Sequence, residues 1–380
     1  MPERKIGISV FEAGLNRFIK MYKEGHRVVV AFSAGKDSGV CLELAILAAK
    51  ATGRLPVEVV MRDEEIMLPG TFEYAERVAA RPEVDFNWII ANQPIINIFN
   101  RREPYFWVFD PLLSPDKWVR KPPKIARYIK EQNIEALINT EQYPPDEGKT
   151  LIVVLGLRCS ESINRKAGLI SSGSYLTKLK EGQRRCRPIY DWKDQDVWRA
   201  VHINKWDYNH AYDMMFRYNM RLAQMRIAPP TLAQAGFSGL QMAYKAWPKW
   251  FYRVSERLPG VREIAMFGRV AIEPQRRMGE SWKDTYMREN LGKETPEWII
   301  ERAQKAMDFM MARHRAHAGD GEFPQMRNCP KCGKIGSWKA LSRYLFSGDP
   351  FSLSQDFLPY VEPEYFRKGA GFWNGEPAFK

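Results

Sequence analysis

The chain has 380 residues, 45% of them hydrophobic, enough to bury one large core or two ordinary ones, so disorder is not expected. Its apolar runs are too short to span a bilayer, and "MPERKIGISVFEAGLNRF" lacks the apolar centre of a secretory signal, so a cytoplasmic protein away from membranes is expected. Lysine and arginine outnumber aspartate and glutamate by 58 to 45, a net +13, and 13% of residues are aromatic; this favours a polyanionic partner, nucleic acid first, over the plainer reading that the excess only aids solubility.

In chain order, residues 1–26 read as a leading helix with Phe11, Leu15, Phe18, Ile19, Met21 and Tyr22 on one face. "VVVAFSAGKDSGVCLELA" (28–45) runs a strand buried on both faces into a small-residue loop and a helix. "PVEVVMR" (56–62), a helix over 70–81 and "VDFNWII" (84–90) continue a β-α-β-α-β rhythm. That rhythm predicts a doubly wound, mainly parallel five-stranded sheet with helices on both faces. An aromatic, proline-rich insertion over 97–150 contains a helix near 123–138, and "TLIVVLGLR" (150–158) and "CRPIYDW" (186–192) supply the last two strands. After 215 the strand signal fades into helices, which divides the chain into an α/β domain, 1–215, and a helical region, 216–380.

Ligands of such sheets sit beyond the carboxyl ends of the strands, where Ser33, Ala34, Gly35, Lys36, Asp37 and Ser38 lie. A strand, a tight turn and a helix N-terminus surround an anion, usually phosphate, with backbone N–H groups. The spacing lacks the upstream glycine of a Walker loop. S-x-G-K-D-S resembles the PP-loop of N-type ATP pyrophosphatases and of the phosphoadenylylsulfate (PAPS) reductase family, with Ala34 in place of a glycine. Three further stretches carry the same resemblance in order: "GLRCSESINR" (156–165), "PIYDWKDQDVW" (188–198) and "WDYNHAYDMMF" (206–216). Within the superfamily, the insertion is similar to bacterial and phage PAPS sulfurtransferase or reductase-like proteins.

The resemblance implies an adenine nucleotide, ATP or PAPS, with Mg²⁺. It implies nucleotide contacts from the 33–38 loop, Asp63, Gly156, Arg158 and Ser162, and catalytic roles for Lys36, Asp37, Arg158 and Arg165. Lys36 and the arginines suit phosphate oxygens, and Asp37 or the 63–65 carboxylates suit Mg²⁺. Asp191, Asp194 and Asp196 read either as caps that start a helix or as catalytic carboxylates. The chain departs from the reductases in having no cysteine after Cys332 and "RIAP" at 226–229, which favours adenylylation or sulfur transfer over PAPS reduction. A non-catalytic nucleotide-sensing or DNA-binding component, or a partner protein that supplies sulfur or DNA contact, stays open beside it.

Five cysteines, an odd number, argue against a disulfide framework, and Cys41 falls on an apolar helix face. His314, His317, Cys329 and Cys332 read H-x2-H-x11-C-x2-C, a ligand set for tetrahedral Zn²⁺ and hence a zinc knuckle. An iron–sulfur or zinc site that also draws on Cys159 and Cys186 is the alternative. "YKAWPKWFYRVSER" (244–257) interleaves basic and aromatic residues, which suits either a helical core or a surface for unpaired bases.

Overall fold

The computed structural model describes residues 7–91, 93–129, 137–161, 163–231, 236–346, 358 and 361–367. They form two compact units, the first Met1–Gln93 with Arg120–Pro229 and the second Pro94–Val119 with Pro230–Lys380. The sequence boundary at 215 therefore falls inside the first unit, and the 97–119 part of the insertion belongs to the second.

In the first unit, α1 (Val10–Lys23) opens on a capping box in which Ser9 and Glu12 satisfy each other's backbone N–H groups. β1 (Arg27–Ala31), β2 (Val57–Arg62) and β3 (Val84–Ala91) follow, joined by α2 (Lys36–Thr52) and α3 (Thr71–Ala79). β6 (Arg127–Ile129), β7 (Leu151–Val154), β8 (Leu176–Lys180) and β9 (Gln183–Cys186) complete a seven-stranded sheet of order β6-β3-β2-β1-β7-β9-β8. All neighbours are parallel except β8 and β9. Val28 and Val30 pack on one face, beside residues of α1, α2 and α3, while Val29 packs on the other with Val60, Ile89, Leu137 and Tyr143.

The sheet has seven strands where five were predicted. Residues 127–129, expected within a helix, are the edge strand β6, and the rest of that expected helix falls largely on residues outside those described. The last parallel strand is the polar "QRRC" of β9 rather than 186–192, because Ile189, Tyr190 and Trp192 are buried from a turn. β8, "LTKLK", is a charged edge strand, whose composition carries little apolar signal.

The second unit pairs β4 (Pro94–Ile96) with β5 (Tyr105–Trp107) as an antiparallel ribbon. The predicted helices follow as Gly236–Ala246, Pro248–Arg257, Val261–Phe267, Trp282–Leu291, Glu297–Ala318 and Trp338–Phe346. The aromatic insertion joins them because its groups are paired there: the Asn97 amide donates to Pro259 O (3.0 Å) and Arg253 to Trp118 O (2.6 Å). Among the described residues no helix is long and apolar enough to cross a membrane.

Candidate functional site

β1 lies between β2 and β7, the point where successive strands change direction along the sheet, and Val30 is level with Val154. The loops after β1 and β7 therefore emerge side by side at a switch point, where open α/β sheets take ligands. Their approach is close: a Cβ on Gly156 would stand 2.8 Å from the Asp37 carbonyl carbon and the Ser38 nitrogen, so only glycine fits. The loop before α2 is tied internally. The Ser38 hydroxyl donates to Gly35 O (3.0 Å) and accepts from the Ser33 N–H (3.2 Å). Ala34 holds φ +55°, a left-handed conformation that explains a glycine in related loops. The Asn209 amide donates to Ala34 O (3.0 Å), and the Tyr212 hydroxyl accepts the Lys36 N–H (3.0 Å). Burial raises the Tyr212 phenol well above its ordinary value, so it stays protonated at neutral pH.

Beside this loop is a cavity of about 400 Å³ whose walls include Ser33, Lys36, Asp37, Glu161 and Tyr212. Lys36, 7% exposed, has its ammonium 3.1 Å from Asp37 and 3.5 Å from Asp194. Arg158, 2% exposed, donates Nε to Asp37 Oδ1 (2.6 Å) and Nη2 to Asp194 Oδ1 (2.8 Å). Asp37 follows the helix's N-cap, Gly35, and is an ion-pair partner rather than a cap. Asp194 also belongs to this network, whereas Asp196 caps its helix on the Lys193 N–H (2.7 Å) and Asp191 pairs with Arg17 (2.8 Å). The three aspartates thus have three roles.

Asp63 departs from expectation. It is fully buried, accepts from Trp88 Nε1 (2.9 Å), the Glu65 N–H (3.0 Å) and Arg120, and does not line the cavity. At that strand end the walls are Arg62 and Glu64, which pair with each other. Burial pushes the Glu64 carboxyl up, opposed by Arg62. Ser162 and the side chain of Arg165 lie outside the described residues. Arg226 and Ile227 line the cavity, and only their place in "RIAP", where related proteins carry another motif, could have drawn attention to them. Tyr212 and Asn209 were legible as part of "WDYNHAYDMMF" but not as supports of the loop.

In the second unit, one ring nitrogen each of His314 and His317 and the sulfurs of Cys329 and Cys332 all lie within 4.8 Å of one another, a group that could hold a metal ion. His314 Nδ1 is 3.4 Å from Cys332 Sγ, and His317 Nε2 is 3.2 Å from Cys329 Sγ. The His317 contact lowers the Cys329 thiol, while burial raises that of Cys332. Cys159 and Cys186 are not part of the cluster. Cys186 is buried in the sheet core, its thiol pushed up to about 12, and burial also raises Cys159. Cys41 is core, as its helix face implies. In the basic aromatic stretch Phe251 is core and Arg257 donates to Trp107 O (2.7 Å), as the core reading expects, while Tyr244, Lys245, Lys249 and Tyr252 are exposed.

A mainly parallel sheet with a phosphate-type loop at its switch point defines the class: a PP-loop α/β nucleotide-binding fold. Residues 27–218, half of the chain, match the phosphoadenosine phosphosulfate reductase domain, and the chain belongs to that family. Along 95% of its length it is 23% identical to the Escherichia coli (strain K12) uncharacterized protein YbdN, covering 93% of that protein. Among solved structures, the PAPS reductase of Candida auris is 15% identical over 55% of this chain and 86% of its own, with a TM-score of 0.30. The FMN adenylyltransferase of Candida glabrata is 11% identical over 53% of this chain, with a TM-score of 0.35, and the chain spans 58% of its length. The U34-tRNA thiolase NcsA of Methanococcus maripaludis is 12% identical over 70% of this chain and 83% of its own, with a TM-score of 0.30.

Proposed function

We propose that the first unit binds ATP with Mg²⁺ at the β1–β7 switch point and adenylylates an acceptor that then takes sulfur or nitrogen. The observation that carries this reading is the cavity bounded by the Ser33–Ser38 loop, with Lys36 on its wall and Arg158 fixed behind Asp37. The cavity walls carry three acidic side chains, Asp37, Glu64 and Glu161, against three basic ones, Lys36, Arg62 and Arg226. Such balanced walls favour a polyphosphate that arrives with its own divalent cation. Mg²⁺ neutralises phosphate charge when bound, and Asp37 and Glu161 are the carboxylates suited to hold it.

In this reading an acceptor oxygen attacks the α-phosphorus, the bond to the β-phosphate oxygen breaks and pyrophosphate leaves. Glu64, its carboxyl raised by burial, is suited to take the acceptor's proton. Lys36 steadies the phosphates, Gly156 and the loop hydroxyls shape the turn, and Ser162 and Arg165 remain assigned by the family motif. Exposed Lys245, Lys249, Tyr244 and Tyr252 make nucleic acid the favoured acceptor class. The His/Cys cluster is read as a zinc centre.

PAPS reduction is less well supported. It needs an activated thiolate, and among the described residues no cysteine lines the cavity. Calorimetry with ATP and PAPS, with and without Mg²⁺, on wild type and Lys36→Ala tests the choice. Mg²⁺-dependent ATP binding, weakened in the variant and accompanied by pyrophosphate release on acceptor addition, is expected. Preference for PAPS with thiol-dependent sulfite release would replace adenylylation by reduction, and binding without turnover would favour a nucleotide sensor.

A further inference from the structure

We propose that the zinc is held in a closed, charge-neutral centre that organises the helical unit, with no position left for substrate or water. This rests on the zinc reading of the cluster and goes beyond it by assigning the ligand atoms and the role.

The ligand atoms are already at coordination spacing. Metal bonds of about 2.3 Å to sulfur and 2.0–2.1 Å to nitrogen, at a tetrahedral angle, separate sulfur from nitrogen by about 3.5 Å. The observed separations are 3.2 Å from His317 Nε2 to Cys329 Sγ, 3.4 Å from His314 Nδ1 to Cys332 Sγ and 3.7 Å from His317 Nε2 to Cys332 Sγ. The two histidines thus ligate through different ring nitrogens. His314 and His317 share one face of the last turns of the Glu297–Ala318 helix, and both cysteines come from one tight loop. In that loop the N–H groups of Cys332 and Gly333 donate to Cys329 O (3.0 and 3.2 Å). A Cβ on Gly336 would stand 2.8 Å from Cys329 O and 2.9 Å from Cys332 Cβ, so the knuckle closes only around glycine.

Charge points the same way. Two thiolates and two neutral imidazoles cancel a divalent ion, which suits a centre with two members buried against an apolar core and two, His317 and Cys329, half-buried. Cys332 is 2% and His314 6% exposed, and the Phe323 ring meets the His314 ring edge to face with centroids 5.4 Å apart. Cys332 shares its core with Trp282, Tyr286, Trp298 and Trp338. Four protein ligands complete a tetrahedron, whereas catalytic zinc keeps a position open. The segment between helix and knuckle is braced onward, since the Trp338 N–H donates to Pro324 O (2.8 Å) and the Ser337 hydroxyl to Asn328 Oδ1 (2.7 Å). The ion therefore ties the Glu297–Ala318 helix to the loop that leads into the helix Trp338–Phe346.

The test uses the full chain, with no nucleotide. Elemental analysis should find about one zinc per chain, nearly all of it lost in Cys329→Ser/Cys332→Ser. Because that variant could fail to fold, cobalt is also exchanged into wild type. Tetrahedral ligand-field bands with thiolate charge-transfer absorption, unchanged by added azide, are expected. Stripping the metal should open new proteolytic cleavages, mapped by mass spectrometry, within 282–346. Absence of zinc together with failure to take up cobalt overturns the zinc reading itself. A metal that binds but answers to azide, or whose removal leaves 282–346 protected, overturns only the closed structural centre.

Discussion

Lys36 and Arg158 look alike as cations near a phosphate loop, yet their surroundings assign them different work. Arg158 is buried with its guanidinium forked between Asp37 and Asp194, so its removal leaves two carboxylates to share the single ammonium of Lys36. Arg158→Ala should cost about 3 kcal/mol, read as a shift of the denaturant midpoint. Lys36→Ala should weaken ATP binding at least about tenfold while shifting that midpoint less, which calorimetry and denaturation on the same samples can compare. Ala34 poses a backbone question instead. Its left-handed φ costs an L-residue about 1–2 kcal/mol, offset in part by burial of its methyl group. Ala34→Gly should therefore change stability by less than about 1 kcal/mol. Ala34→Val, β-branched and fully enclosed, should destabilise by more than about 2 kcal/mol. A thermal melt that ranked the two alike would contradict the assigned conformation.

The contact between the β7 turn and the start of α2 decides the shape of the loop. Because a Cβ on Gly156 collides with backbone, which cannot rotate aside, Gly156→Ala should move the Asp37–Ser38 segment. The expected result is a stability loss of about 1–3 kcal/mol with a larger proportional loss of ATP affinity. Equal affinity in the variant would show that the loop does not hold the phosphates. The loop and helix between Gln275 and Leu291 offer a second case. Glu280 accepts two bonds from Arg288 (2.7 and 2.9 Å) and one from the Arg277 N–H (3.0 Å). Led by Arg288, these hold its carboxyl down at about 2, against an ordinary 4.5. Since the folded value is the lower one, the stabilisation is complete above about pH 4.5 and is lost as pH falls towards 2. In acid titrations of stability, Glu280→Gln should flatten that part of the curve and leave neutral pH nearly unchanged relative to other glutamine variants.

At the scale of the molecule, the chain places a nucleotide-type cavity in one unit and a His/Cys centre in the other. The cores are organised differently. Those of the first unit pack on the two faces of a sheet, whose strands supply hydrogen-bonded order by themselves. That around Cys332 packs Trp282, Tyr286, Trp298 and Trp338 with aliphatic side chains between helices. Metal removal and nucleotide addition should therefore act on different parts of the protease map, nucleotide protecting the loop at 33–38 and metal protecting 282–346. A single common response to both would contradict separate organisation.

Much of this was legible in the residues themselves. The valines of β1, the small loop after it and the good helix formers of α2 specify a strand, turn and helix by local preference. A histidine pair three residues apart and a C-x-x-C turn mark a group of side chains of metal-ligand type by spacing, because both are short-range patterns. What needed tertiary structure was every property that depends on residues far apart in sequence. Asp63, Asp37 and Asp194 are the same side chain, and only distant partners make one a buried support, one a link behind the loop and one a shared acceptor. The strands β6, β8 and β9 are short or polar because they lie at or near the sheet edge, so periodicity says little about them. The aromatic insertion was divided between two units by where its carbonyls and amides find partners. Local sequence determined most of the elements and the candidate site residues; long-range pairing decided which of those residues face the cavity, because burial and charge compensation are settled only when distant segments meet.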